Sequence, residues 1–178
     1  MSAPWDEFTE IHYGILKSVE QLEHPLLRRL HSDWCAAAAA EGCMDGLPDH
    51  TFIDPLKLDY LLGWLLVVGV ERPAPDKLRF KLRLIGTEIV EHRERDRTGR
   101  WVDEVEDQVL ATQGPKICRL VVEARRPVRA EAVHRIDDKN YPVEHLLLPL
   151  IDDGGTIDRL LIAQIYPRDT PRVAYAHA

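Results

Sequence analysis

Residues 141–166 read YPVEHLLLPLIDDGGTIDRLLIAQIY. Two arms, Tyr141 to Ile151 and Ile157 to Tyr166, flank Asp152-Asp153-Gly154-Gly155-Thr156. That cluster is turn chemistry between two strand-like runs, so the stretch predicts a long β-hairpin. Both arms are apolar on both faces, through Leu146-Leu147-Leu148 and Leu160-Leu161-Ile162. Strands of this kind need cover above and below and belong in the middle of a sheet. Trp64 to Val70 is continuously apolar in the same way. Arg79-Phe80-Lys81-Leu82-Arg83-Leu84 instead alternates charged and apolar residues, which suits a half-exposed edge strand. Arg129 to Asp137 reads as another edge strand. Counted from Trp64, these five strands fit one antiparallel sheet in the order 2-1-5-4-3, an α+β arrangement.

The rest of the chain supplies helices. Phe8, Ile11, Ile15, Val19 and Leu22 recur at spacings of three and four, predicting an amphipathic helix over 5–23. Pro25 interrupts it, and a second helix is predicted from Pro25 to Glu41, ended by Gly42. Asp54-Pro55 is an N-cap followed by a first-turn proline, predicting a short helix over 55–62. Thr87 to Arg93 suits one or two helical turns. Segment 107–125 suits a longer helix with a break at Gly114-Pro115. The short middle helices are expected on one face of the sheet and the N-terminal helices on the other. The expected organisation is an N-terminal helical extension over 1–45, a sheet-containing domain over 46–167 and a loose tail over 168–178.

Composition narrows the functional classes. The 178 residues are 45% hydrophobic and 30% charged, an ordinary globular balance. The net charge of −7 argues against nucleic-acid binding by general electrostatics. The longest apolar stretch, Leu61 to Val70, is half of what a membrane span needs. No basic-then-apolar leader opens MSAPWDEFTE. Three cysteines without a CxxC pair argue against a disulfide scaffold or zinc ribbon, and a reducing cytoplasm is the expected compartment.

Five motifs, taken in order, resemble a known family. They are Leu47-Pro48 followed by Ile53-Asp54-Pro55, then Arg79 to Thr87 (RFKLRLIGT), then Asp96-Arg97-Thr98-Gly99-Arg100, then Leu148-Pro149-Leu150, and last Asp152-Asp153-Gly154-Gly155. Together they resemble the small, mostly single-domain bacterial PAS proteins common in alphaproteobacteria, across roughly 25–166. The resemblance implies a PAS-like sheet and a signal-sensing or protein-interaction role. It also implies a tendency to dimerise, no catalytic activity and no cofactor common to all members.

Cys118 lacks the Asn-Cys-Arg setting of a flavin-reactive cysteine. Segment 107–125 carries no histidine to hold a haem, while His134 and His145 fall on predicted strands. His31 and Cys35 share a helix face without a second ligand pair. Asp152 and Asp153 read as turn residues. No nucleophile-elbow, phosphate-loop or zinc-protease motif occurs. The expectation is therefore no catalytic residue, no metal and no cofactor.

A PAS-like sheet is concave, and a cavity under its middle helices is expected to be lined by Leu82, Leu84, Trp101, Val105, Leu120, Leu147 and His145. Arg83 and Arg97 are expected to meet an anionic group with a bidentate fork. The reading that follows is a cytoplasmic sensory domain that binds a small organic metabolite or a signalling protein partner. It would report in trans through its N-terminal helices, as a homodimer. Two alternatives are a ligand-free interaction adaptor and a small isomerase- or hydratase-like enzyme using His145.

Overall fold

The computed structural model describes residues 14–40, 43–93, 95–136 and 139–168. Its centre is a six-stranded antiparallel sheet in the order β1-β4-β5-β6-β2-β3. The strands are β1 (Gly14–Lys17), β2 (Leu65–Ala74), β3 (Lys77–Ile85), β4 (Val128–Ile136), β5 (Lys139–Ile151) and β6 (Ile157–Ile165). The five strands from β2 onward stand in the order expected from the sequence. Leu146, Leu148, Leu160 and Leu161 of the central hairpin are fully buried, as strands covered on two faces require.

The expected helix over 5–23 is corrected where it can be seen. Gly14 to Lys17 form β1, paired with β4 from Gly14↔Ala132 to Lys17↔Arg129, and Val19 to Gln21 form one 3-10 turn. Residues 5–13 of that predicted helix lie outside the described residues. Four residues are too few to distinguish a period of two from one of 3.6, so pairing with β4 decides their conformation. As a result β4 has a neighbour on both sides and is not an edge.

Among the described residues three α-helices cover the sheet. α1 (Pro25–Ala38) opens on His24, whose ring accepts from the Leu26 amide, with Pro25 in the first turn. Its Leu27, Leu30 and Trp34 are buried, and the Trp34 indole donates to the Pro149 carbonyl at 3.1 Å. α1 thereby covers the face that presents Leu146, Leu148 and Leu150. On the other face lie α2 (Thr87–Arg93) and α3 (Gln108–Ala124). Asp107 caps α3 by accepting from the Val109 and Leu110 amides. α3 runs unbroken through Gly114-Pro115; Pro115 removes one backbone donor, a local cost that packing along the helix outweighs. The predicted helix over 55–62 is instead one turn held by Asp54, whose carbonyl accepts from Lys57 and Leu58. A 3-10 helix over Asp59–Trp64 follows it.

Glu144 fixes the start of α1 to the sheet. Its two carboxylate oxygens accept from the Glu23 and His24 amides at 2.9 and 3.0 Å. One of them also accepts from Arg129 Nε at 2.8 Å, and the Arg129 side chain is only 1% exposed.

Candidate functional site

The concave face carries the inward positions of alternating strands. β4 contributes Ala130 and Ala132, which face His145 and Val143 of β5 across the ladder. Small side chains here, together with Gly114 on α3, leave space that leucines would fill. The result is a cavity of about 120 Å³ between the sheet and α2–α3. Its walls are mainly apolar, with Leu66, Val68, Leu82, Leu147 and Ile162 from the sheet and Ile117 from α3. A water needs roughly 10–15 Å³ of such space, so the cavity suits a ligand on the order of ten non-hydrogen atoms.

One part of the wall is polar. His134 Nδ1 lies 2.8 Å from the Tyr166 hydroxyl and 3.2 Å from Arg93 Nη1. The same Arg93 nitrogen also lies 3.5 Å from His134 Nε2. The Gln164 amide donates to His145 Nε2 at 3.0 Å, leaving the His145 proton on Nδ1. The two imidazoles meet edge to face, with centroids 5.6 Å apart. Tyr166 also stacks on His92 at 4.5 Å. Arg93 is held from behind by Asp107 at 2.9 Å. The buried Gln113 Oε1 has no hydrogen-bond partner among the described residues, and Gln113 lines the cavity.

Burial, then the nearby Arg93 cation, pushes His145 down to about 3. The same two causes, with His145 itself, hold His134 well below the ordinary histidine range. Both rings are therefore neutral in the folded protein near pH 7. Between about pH 6.5 and pH 3 the unfolded chain binds a proton at position 145 that the folded chain does not, so stability rises with pH across that window. Acidification from pH 7 to 5 is expected to cost roughly 1–2 kcal/mol from His145 alone. Urea midpoints measured from pH 5 to 7.5 check this. His145→Gln should flatten the slope, and an unchanged slope would show that His145 does not carry it.

The expected site residues divide cleanly. Leu82, Arg97, His145 and Leu147 line the cavity. Arg83 does not: strand neighbours point to opposite faces, and with Leu82 inward Arg83 pairs with Glu71 on the outside. Trp101 does not either. It bridges to Lys81 beyond the β3 edge, under the Arg79 guanidinium at 4.2 Å. Leu84 is 47% exposed, past a β-bulge at Val67/Val68. Val105 and Leu120 are buried in other parts of the core. Arg93, Gln113, His134 and Gln164 line the cavity without having been expected there. The signal for His134 was the two-residue step from Ala130 and Ala132, and for Gln164 a polar residue inside an apolar arm.

The remaining candidates have structural occupations. His31 Nε2 and Cys35 Sγ lie 3.6 Å apart on α1. Asp152 Oδ1 accepts from the Gly154 and Thr156 amides, both at 2.9 Å, which builds the hairpin turn. No helix among the described residues is long and apolar enough to cross a membrane.

Comparison with solved structures finds likeness at low identity. An RNA-binding light-oxygen-voltage receptor matches at 12% identity and a TM-score of 0.45, over 72% of this chain and 36% of that one. This chain thus spans about a third of that receptor. A light-oxygen-voltage domain studied with a flavin analogue matches at 12% identity and 0.45, over 68% and 87%. A LOV protein of Rhodobacter sphaeroides matches at 8% and 0.40, over 84% and 70%. No curated protein matches the sequence. The PAS domain profile matches residues 22–163, a span that takes in α1 and the sheet from β2 to within two residues of the end of β6. With that match over most of its length and the five-strand order 2-1-5-4-3, the chain belongs to the PAS domain family.

Proposed function

We propose that the protein is a sensory domain that binds a small organic molecule in the cavity between the sheet and α3. The observation that carries this reading is the cavity itself, apolar around most of its wall and polar at Arg93, Gln113, His134 and His145. An apolar body with a few convergent polar groups is the usual makeup of a small-molecule site. The unanswered Gln113 oxygen gives a ligand donor somewhere to bind.

The same strand carries the signal outward. On β5, His145 and Leu147 face the cavity, while Leu146 and Leu148 face α1. The Trp34–Pro149 hydrogen bond ties α1 to that strand. A ligand that prefers one packing of β5 shifts the population of α1 arrangements. The response then passes to a partner or to a second copy through the α1 side of a homodimer. A cytoplasmic setting fits three free cysteines.

Two other readings are less well supported. The flavin of the light-oxygen-voltage comparison fits poorly. Cys118 lines the cavity, but it sits in Lys116-Ile117-Cys118-Arg119 and lacks the Asn-Cys-Arg setting of a flavin-reactive cysteine. A flavin ring system also exceeds on the order of ten non-hydrogen atoms of space. An enzyme using His145 as a general base needs a pKa near the working pH. A value of about 3, with Nε2 already accepting from Gln164, makes a weak base.

Native mass spectrometry of the purified protein is expected to show a small retained mass. Ala132→Leu should abolish it while circular dichroism stays unchanged, because the added side chain occupies the cavity. Loading the wild type should also change amide exchange in α1. A protein with no retained mass and no thermal shift across a broad screen of small organic compounds would end this reading.

A further inference from the structure

Among the described residues three arginines, Arg93, Arg95 and Arg97, line the cavity, and no aspartate or glutamate does. Arg93 and Arg97 are largely withdrawn from solvent, with side chains 14% and 15% exposed. Arg93 has a close carboxylate in Asp107. Among the described residues the others share a single carboxylate: Glu106 lies 3.4 Å from Arg95, 3.4 Å from Arg97 and 3.9 Å from Arg100. A charge-assisted hydrogen bond normally closes to about 2.7–2.9 Å. Among the described residues Arg97 is thus left with one loose contact, to Glu106, while it borders the cavity. Burial, then the Arg93 cation, keeps His134 and His145 neutral, so they add no charge of their own. The wall therefore has an apolar body, a cationic rim and one free acceptor at Gln113.

We infer that the ligand is a small organic carboxylate with an apolar body, its carboxylate held by Arg97 with Arg95 alongside. This rests on the sensory-domain reading and adds the charge class to it. Two fluorine-free commercial compounds of equal shape separate the two claims: 4-hydroxyphenylacetate and its neutral amide, 4-hydroxyphenylacetamide. Each carries a hydroxyl to answer Gln113, and only the first carries a carboxylate at neutral pH.

Titrations followed by amide NMR shifts at Leu82, Ala130 and Leu147 are expected to show the acid binding at least tenfold more tightly than the amide. Arg97→Gln should reduce that preference to about threefold or less by weakening the acid far more than the amide, with the variant's dispersion confirming the fold. Raising salt should weaken the acid alone. Equal binding of acid and amide, or a preference that survives Arg97→Gln, would overturn the carboxylate assignment and leave the cavity standing as a ligand site. If neither compound moves the cavity signals, and a panel of other small neutral and anionic compounds also fails, both claims fall together.

Discussion

Glu144→Ala is expected to lower the unfolding free energy by about 3–5 kcal/mol, the usual cost of removing one partner from a buried ion pair. Arg129 is 1% exposed and stays where it is when the carboxylate goes. Its Nη1 already has no hydrogen-bond partner. Glu23 and Glu131 approach it only at 3.7 Å, too far to replace a bond of 2.8 Å. The Glu23 and His24 amides lose their acceptor in the same step, so the start of α1 detaches from β5. Burial raises the Glu144 carboxyl, but Arg129 and the two amides outweigh it and hold the group below its ordinary value. Urea unfolding measures the loss, and faster amide exchange at 26–30 locates it. Glu144→Gln, which keeps an acceptor, should lose less. The pair Arg129→Leu with Glu144→Met should recover part of the stability, because the stranded charge is gone. Equal losses in the single and double variants would contradict this account.

Gly86→Ala is expected to cost about 3 kcal/mol or more, at the upper end of what overpacking does. A Cβ there would lie 2.5 Å from the Gly63 carbonyl carbon and 2.7 Å from the Leu62 oxygen. Those are backbone atoms and cannot swing aside. Gly86 also donates to the Leu65 carbonyl at 2.7 Å and accepts from the Ile89 and Val90 amides that begin α2. A shift at this point therefore strains the start of β2 and of α2 together. Thermal denaturation checks the size of the effect. An alanine variant as stable as wild type would mean that the two segments separate more easily than their contacts suggest.

The sheet order was readable because three strands declare their position by being apolar on both faces. Leu146-Leu147-Leu148, Leu160-Leu161-Ile162 and Trp64 to Val70 have no stable place at an edge, and Arg79 to Leu84 has no stable place in the middle. β1 was not readable. Ile15 sits four residues from both Ile11 and Val19, a helical spacing, and only the distant pairing with β4 makes it a strand. In the cavity, Leu82, His145 and Leu147 follow from strand alternation. Arg83, one residue on from Leu82, faces the other side by that same alternation. Arg93 was hidden because the reach of a long side chain from the end of a helix leaves no periodic trace. Trp101 was misplaced because an aromatic after a turn can cover an edge as easily as line a pocket.

The seam between β1 and β4 joins segments more than a hundred residues apart. During synthesis the first of these leaves the ribosome long before its partner exists. Docking of the N-terminal strand therefore belongs among the last events of assembly, after the hairpin of β5 and β6 has formed, because long loops close late. Until then β4 presents an open row of amides and carbonyls. Crowding by a second nascent copy at that moment would favour exchange of leading strands between chains over closure within one.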